Sequence, residues 1–169
     1  MNLLEVNALT LEQFVARFGG VFEHSPWVAE RAWNQRPFSS VESIFQAMVA
    51  AVRHATPAEH LALICAHPEL AGREAGAGAL TADSTGEQGR LGFLDLQKGE
   101  WLRTGELNGR YREKFGFPCI VALKLHASRA SVMAEMERRL ANDAGTEREN
   151  ALQQITHISR GRLEKLLSA

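Results

Sequence analysis

Helix-start signals recur along this chain without any long run of alternating polar and apolar residues to suggest half-buried strands. A Ser or Thr followed three residues later by Glu or Gln can satisfy two orphan amides at a helix N-terminus reciprocally. That pattern occurs at Thr10 with Gln13, Thr56 with Glu59, Ser84 with Glu87, and Thr146 with Glu149. Stops are in place as well. Gly19-Gly20 ends the first of these helices, and Pro37 bounds a helix opened by Ser25 as a cap before Pro26. Ser39 or Ser40 caps VESIFQAMVAAVRHA, whose Val41, Phe45, Met48 and Val52 recur at helical spacing. The Thr56 helix runs through PAEHLALICA and stops at His67, because Pro68 disfavours the α conformation in the residue before it. Beyond Ser84 come a Gly-interrupted segment and a longer helix through Trp101, Leu107 and Tyr111 up to Lys114. FGFPCIVALKL is apolar enough for a buried strand, but a lone strand would have no partner, so it reads as a tight Gly-Pro turn into a buried helix. Ser128 starts RASVMAEMERRLAND, and the Thr146 box starts a last helix running nearly to the end. The expectation is an all-α, single-domain helical bundle over residues 1–169, with no repeat and no low-complexity region.

Composition narrows the function classes. The chain has 169 residues, 45% hydrophobic and 23% charged, enough for one soluble domain with a single core. Length alone leaves room for a second domain, but no linker rich in Pro, Ser or charge divides the sequence. A net charge of −1 exerts no long-range pull on nucleic acid or an anionic membrane. Cys65 and Cys119 both lie in apolar sequence and read as buried free thiols rather than a disulfide framework. No basic-then-apolar leader, membrane-length apolar run or C-terminal anchor signal is seen, so the expected location is cytoplasmic.

The stretch from Ala66 to Gln88, AHPELAGREAGAGALTADSTGEQ, carries the chemistry-bearing residues. It is Gly/Ala-rich with almost no large apolar residue, so its conformation must be set by the helices around it, and it reads as a long active-site loop. His67 at a helix end is read in two ways: a histidine on the last carbonyls and dipole, or a general acid or base titrating near working pH. Glu87 either completes the Ser84 capping box and nothing more, or joins free N–H groups and the Gln88 amide in receiving a ligand. Gly116-Phe117-Pro118 is either a plain turn or a kink whose backbone meets an amide-rich ligand. In the last helix Leu152, Ile155, Ser159, Arg162 and Leu166 share one face, so Arg162 lies on the apolar stripe while Arg160 points elsewhere. A buried guanidinium needs a protein carboxylate or a bound anion. His24, His54, His60, His126 and His157 have no comparable setting. The chain lacks HxxxH, HExxH, CxxC, an acidic cluster, a GxSxG elbow, a Walker loop and a dinucleotide fingerprint, so no metal and no cofactor is expected, only proton chemistry.

Four separated motifs then resemble one family. HPELAGR, LTADSTGEQ, LNGRYREKFGFPCIVALK and ITHISRGRLEKL are similar, in order, to the 2-oxo-4-hydroxy-4-carboxy-5-ureidoimidazoline (OHCU) decarboxylases of urate breakdown, and the early FGGVFEHSPWVAERAW fits as well. The resemblance implies an all-α fold, a homodimer, no metal or organic cofactor, and loss of CO2 from OHCU to give (S)-allantoin rather than the racemate. It assigns His67 as catalytic proton donor, Glu87 as essential acid and Arg162 as the family arginine. Pro68, Ser84, Thr85, Gly86, Glu87 and Gln88 are implied to meet the substrate, with Cys119, Ile120, Val121, Ala122 and Leu123 as a second binding segment contacting it through backbone groups. Where the family often has an aromatic after GFP, this chain has Cys119, which bears on pocket shape. The tail lacks the Ser-Lys-Leu of animal relatives, which suits a bacterial cytosolic form.

The implied chemistry suits these residues. Electrons from the breaking C–C bond can enter the adjacent C=N of the substrate ring, so the substrate supplies its own electron sink. His67 would deliver or relay the proton, Glu87 would orient ureido and ring N–H groups, and Arg162 would hold an anionic or carbonyl oxygen or position Glu87. Two rival readings are a non-enzymatic all-α interaction module that docks through the Gly/Ala loop, and a cyclic-ureide hydrolase adding water instead of releasing CO2.

Overall fold

In the computed structural model, which describes residues 1–168, the chain forms ten α-helices and a short 3-10 helix, with no strand among the described residues. The residues gather into two compact units, one formed by Met1–Ala66 with the chain from Ser159 onward, the other by His67–Ile158.

The first unit holds α1 (Leu3–Ala8), α2 (Leu11–Phe18), α3 (Trp27–Trp33), α4 (Val41–Arg53) and α5 (Pro57–Cys65). Thr10, Ser40 and Thr56 cap α2, α4 and α5 through side-chain oxygens, as the sequence indicates. An Asn2–Glu5 capping box starts α1, a helix too short for its periodicity to show in sequence. Ser25 does not cap α3. Its hydroxyl donates to the Glu23 carbonyl at 2.9 Å, and Pro26 occupies the cap position without a side-chain bond. Phe14, Phe18, Phe38, Ile44 and Met48 are buried together with Phe45 and Val52, whereas Val41 is exposed. Phe14 sits 4.6 Å from Phe18 and 5.8 Å from Phe38 between ring centroids. Cys65, expected to be buried, is exposed at the end of α5.

The second unit holds α6 (Arg73–Gly76), α7 (Ala82–Arg90), α8 (Lys98–Phe115), the 3-10 turn Leu123–Leu125, α9 (Arg129–Arg139) and the first part of α10 (Ala144–Ser168). Three expectations change here. The Gly/Ala-rich stretch is not one open loop, because α6 and most of α7 lie within it. Thr81 rather than Ser84 caps α7, its hydroxyl accepting from the Ser84 amide at 3.3 Å, so Glu87 falls in the second turn and not the first. At α10, Asp143 accepts from the Thr146 amide at 2.9 Å and takes the capping part assigned to Thr146.

A fourth change is at FGFPCIVALKL. Gly116 ends α8 in the left-handed conformation with φ of 78°, which favours glycine there. Residues 118–122 then run without regular structure and only Leu123–Leu125 coil, so no buried helix forms. Cys119, Ile120, Val121, Ala122 and Leu123 are nonetheless all buried. Such a segment is tolerable because side chains replace the missing ladder. Arg139 donates to the Ile120 carbonyl at 2.6 Å, Gln154 accepts from the Ala122 amide at 2.8 Å, and Arg90 donates to the Leu123 carbonyl.

Candidate active site

His67 begins the second unit, just past the end of α5, with its side chain buried at 6% exposure. The backbone after it is held at successive residues. Gln88 on α7 donates through Nε2 to the Glu69 carbonyl at 3.3 Å and accepts through Oε1 from the Ala71 amide at 2.9 Å. Asn108 on α8 donates through Nδ2 to the Leu70 carbonyl at 2.9 Å, and Arg112 pairs with the Glu69 carboxylate. The turn is tight enough that a Cβ on Gly72 would lie 2.8 Å from that of Glu69, so only glycine fits. Ala71 has φ of 47°, a left-handed conformation that costs a non-glycine residue energy and persists where its neighbours fix it.

Helix α7 sorts the candidate residues by face. Ser84 and Gln88 are buried, one turn apart, and Glu87 beside them is half-buried, while Thr85 and Gly86 are exposed on the other side. Gln88 therefore joins this helix to the His67 loop with both ends of its amide. Arg90, at the last turn of α7, reaches the carbonyls of Leu123 and His126, the latter at 3.1 Å, so the same helix joins the second binding segment. His67, Pro68, the Ser84–Gln88 turn and the Cys119–Leu123 segment thus belong to one unit, interlinked through α7.

Behind Ile120 lies a buried ionic cluster that the sequence reading missed. Arg139 and Glu147 are 1% and 0% exposed and pair at 2.9 Å. Glu147 also accepts from Tyr111 and from Asn142 and Asn150, each at 2.8 Å for the two amides. Burial pushes the Glu147 carboxyl up, but these hydrogen bonds outweigh it and hold the group below its ordinary range. Burial pushes the Cys119 thiol up to about 12, so Cys119 stays a neutral packing group near neutral pH. The visible signal for the cluster is an unmatched Arg at the C-terminal end of the stripe that Val132 and Met136 form in RASVMAEMERRL.

Arg162 lies in the first unit, 4% exposed, and its guanidinium donates to the carboxylate of Glu23, itself 2% exposed. The anionic partner demanded by its place on the apolar stripe is therefore a protein carboxylate. Arg160 points away, as its position in the helix indicates, pairing with Glu42 at 2.8 Å and covering the Phe45 ring at 4.1 Å. Among the described residues no group of three or more His, Cys, Asp or Glu side chains could hold a metal ion, and no helix is long and apolar enough to cross a membrane.

The family model described as OHCU decarboxylase matches residues 7–164. The 2-oxo-4-hydroxy-4-carboxy-5-ureidoimidazoline decarboxylase of Mus musculus is 37% identical over 169 residues, covering 100% of this chain and 94% of its own. That of Haloferax volcanii is 38% identical over 169 residues, covering 100% and 98%. The crystal structure of (S)-allantoin synthase superposes with a TM-score of 0.78 at 26% identity, covering 98% of this chain, which spans only 54% of that longer one. The crystal structure of OHCU decarboxylase in the presence of (S)-allantoin shares the fold, with a TM-score of 0.70 at 21% identity over 95% of this chain. The chain belongs to the OHCU decarboxylase family.

Proposed function

We propose that this protein is a carboxy-lyase that converts OHCU to (S)-allantoin, the step that completes urate-to-allantoin conversion, using its own side chains and the electron sink of the substrate. Departure of CO2 leaves its bonding electrons to form a carbon–carbon double bond in the ring, while the neighbouring C=N pair moves to nitrogen and takes a proton. The resulting enol ketonises when a proton is added to the carbon that bears the ureido group. That last proton fixes the chirality of the product, so it must arrive on one face only.

The observation that carries this reading is the family match across residues 7–164 together with the gathering of three motif segments about α7. His67 delivers or relays the proton to one face. Glu87, on the same side of α7 as Ser84 and Gln88, receives ureido and ring N–H groups. The side chains of Cys119–Leu123 are buried, which leaves backbone groups as the means by which that segment meets a ligand. Both ends of the Gln88 amide are engaged by Glu69 and Ala71, so its part is to hold the loop. Pro68, Ser84, Thr85 and Gly86 complete the proposed binding set, and Arg162, as the family arginine, is proposed to be needed for the reaction. A homodimer and a cytoplasmic location belong to the same proposal.

The experiment is CO2 release from freshly generated OHCU, with the spontaneous rate subtracted. The proposal predicts saturable release and (S)-allantoin in excess. An interaction module predicts no rate above background, and a hydrolase predicts ring opening with the carboxylate retained.

A further inference from the structure

Asn108 stands in the middle of the 18-residue helix α8, on its buried stripe with Thr104, Leu107 and Tyr111. Asparagine is a poor helix-interior residue, and at 4% exposure it sits where an apolar side chain would ordinarily pack. Its donor is used: Nδ2 reaches the Leu70 carbonyl, 38 residues away along the chain, at 2.9 Å. Its acceptor is not, for Oδ1 is buried without a hydrogen-bond partner. A buried acceptor left unpaired is destabilising, so an asparagine here is a net burden on the fold unless its single donated bond matters for another reason.

That bond ends on the segment that carries His67. Leu70 is flanked by Glu69 and Ala71, both held by Gln88, so two amides from two helices fix three consecutive residues. The Gln88 contacts act on the residues either side of Leu70, Arg112 of α8 holds the Glu69 side chain, and Asn108 ties the Leu70 backbone itself to α8. Because the His67 side chain is buried, its orientation follows its backbone rather than a solvent-exposed choice of rotamers.

We infer that Asn108 is a positioning residue for the decarboxylation: it holds the Leu70 carbonyl so that the imidazole of His67 presents its proton to one face of the ring, and it does not touch the substrate. The inference rests on the function proposed above. Leucine at 108 keeps the volume and removes both the donor and the unpaired acceptor. Aspartate keeps the shape and, when ionised, removes the donor. A displacement of about 1 Å at a catalytic group can cost about 10²-fold in rate.

The test compares wild type with Asn108→Leu and Asn108→Asp, measuring kcat, KM, the circular dichroism spectrum, and the chirality of enzyme-derived allantoin at enzyme levels where catalysis outpaces spontaneous decay. The expected result, in at least one folded variant, is a kcat lower by about 10–100-fold with KM within about 3-fold and a raised share of (R)-allantoin. A folded variant with unchanged kcat overturns the inference. So does a lowered kcat with product still entirely (S), since a smaller active fraction would give that. A raised KM at unchanged kcat makes Asn108 a substrate contact, and failure of both variants to fold makes it structural; each overturns the inference. An inactive wild type would instead sink the proposed function, leaving the two failures distinct.

Discussion

Arg139 and Arg162 are buried guanidiniums, each paired with a buried carboxylate, but they hold different things. Arg139 grips the Ile120 carbonyl as well as Glu147, so it supports backbone proposed to meet substrate. Removing one member of such a pair strands the other charge, at a cost on the order of 3–5 kcal/mol, whereas replacing both by packed apolar groups costs far less. Glu147→Gln should therefore lower the unfolding free energy by about 3–5 kcal/mol in urea titrations, and Arg139→Met with Glu147→Leu should cost less than the sum of the single changes. Additive losses would show that the two side chains are not coupled. The cysteines offer a simpler check. Cys65 is exposed and Cys119 buried with its thiol held up to about 12. Intact mass after iodoacetamide should show modification at Cys65 alone in the folded protein and at both once it is unfolded, and labelling of Cys119 in the folded state would contradict its burial.

At the scale of the element, α7 decides how the site is built. With Thr81 as its cap, Thr81→Ala should destabilise the protein by about 1 kcal/mol and speed hydrogen exchange of the Ser84 amide, which loses its partner. An unchanged exchange rate at Ser84 would return the cap to another residue. The boxes at Thr10 and Thr56 were legible in sequence because side chain and amide lie within one turn. Ser84 with Glu87 has the same spacing, but Thr81 three residues upstream starts the helix first, and local pattern alone does not rank two overlapping caps. The segment after Pro118 was misread for a different reason. Its hydrogen bonds come from Arg90, Arg139 and Gln154, all distant in sequence, so nothing local to FGFPCIVALKL announces an irregular buried path. Arg162 was legible because 3.6-residue periodicity marks a charge on an apolar stripe. Asn108 could have been found by the same argument, as an amide beside Leu107 on the buried side of its helix.

For the whole molecule, several carboxyls depend on native partners. Burial pushes Glu147 up but its hydrogen bonds hold it below the ordinary 4.5, and a hydrogen bond from Arg31 first, then the Thr56 amide, brings Glu59 down to about 2. Such groups bind a proton more readily unfolded than folded. Their contribution to stability is therefore complete above the ordinary carboxyl value of 4.5 and is lost as pH falls toward about 2. The urea midpoint should be nearly level from about pH 7 to about pH 5 and decline below that, and Glu147→Gln should flatten the decline. A midpoint unchanged down to about pH 3 would show that these pairs carry no linkage.

An (S) product requires a proton placed on one face of a planar intermediate, the part proposed for His67. The direct measurement is the enantiomeric composition of allantoin made from fresh OHCU by wild type and by His67→Ala, each corrected for spontaneous decay. The expected outcome is (S)-allantoin from wild type, and from His67→Ala a rate lower by about 10²–10⁴-fold with product approaching the racemate. Wild-type rate and undiminished (S) excess from His67→Ala would contradict it.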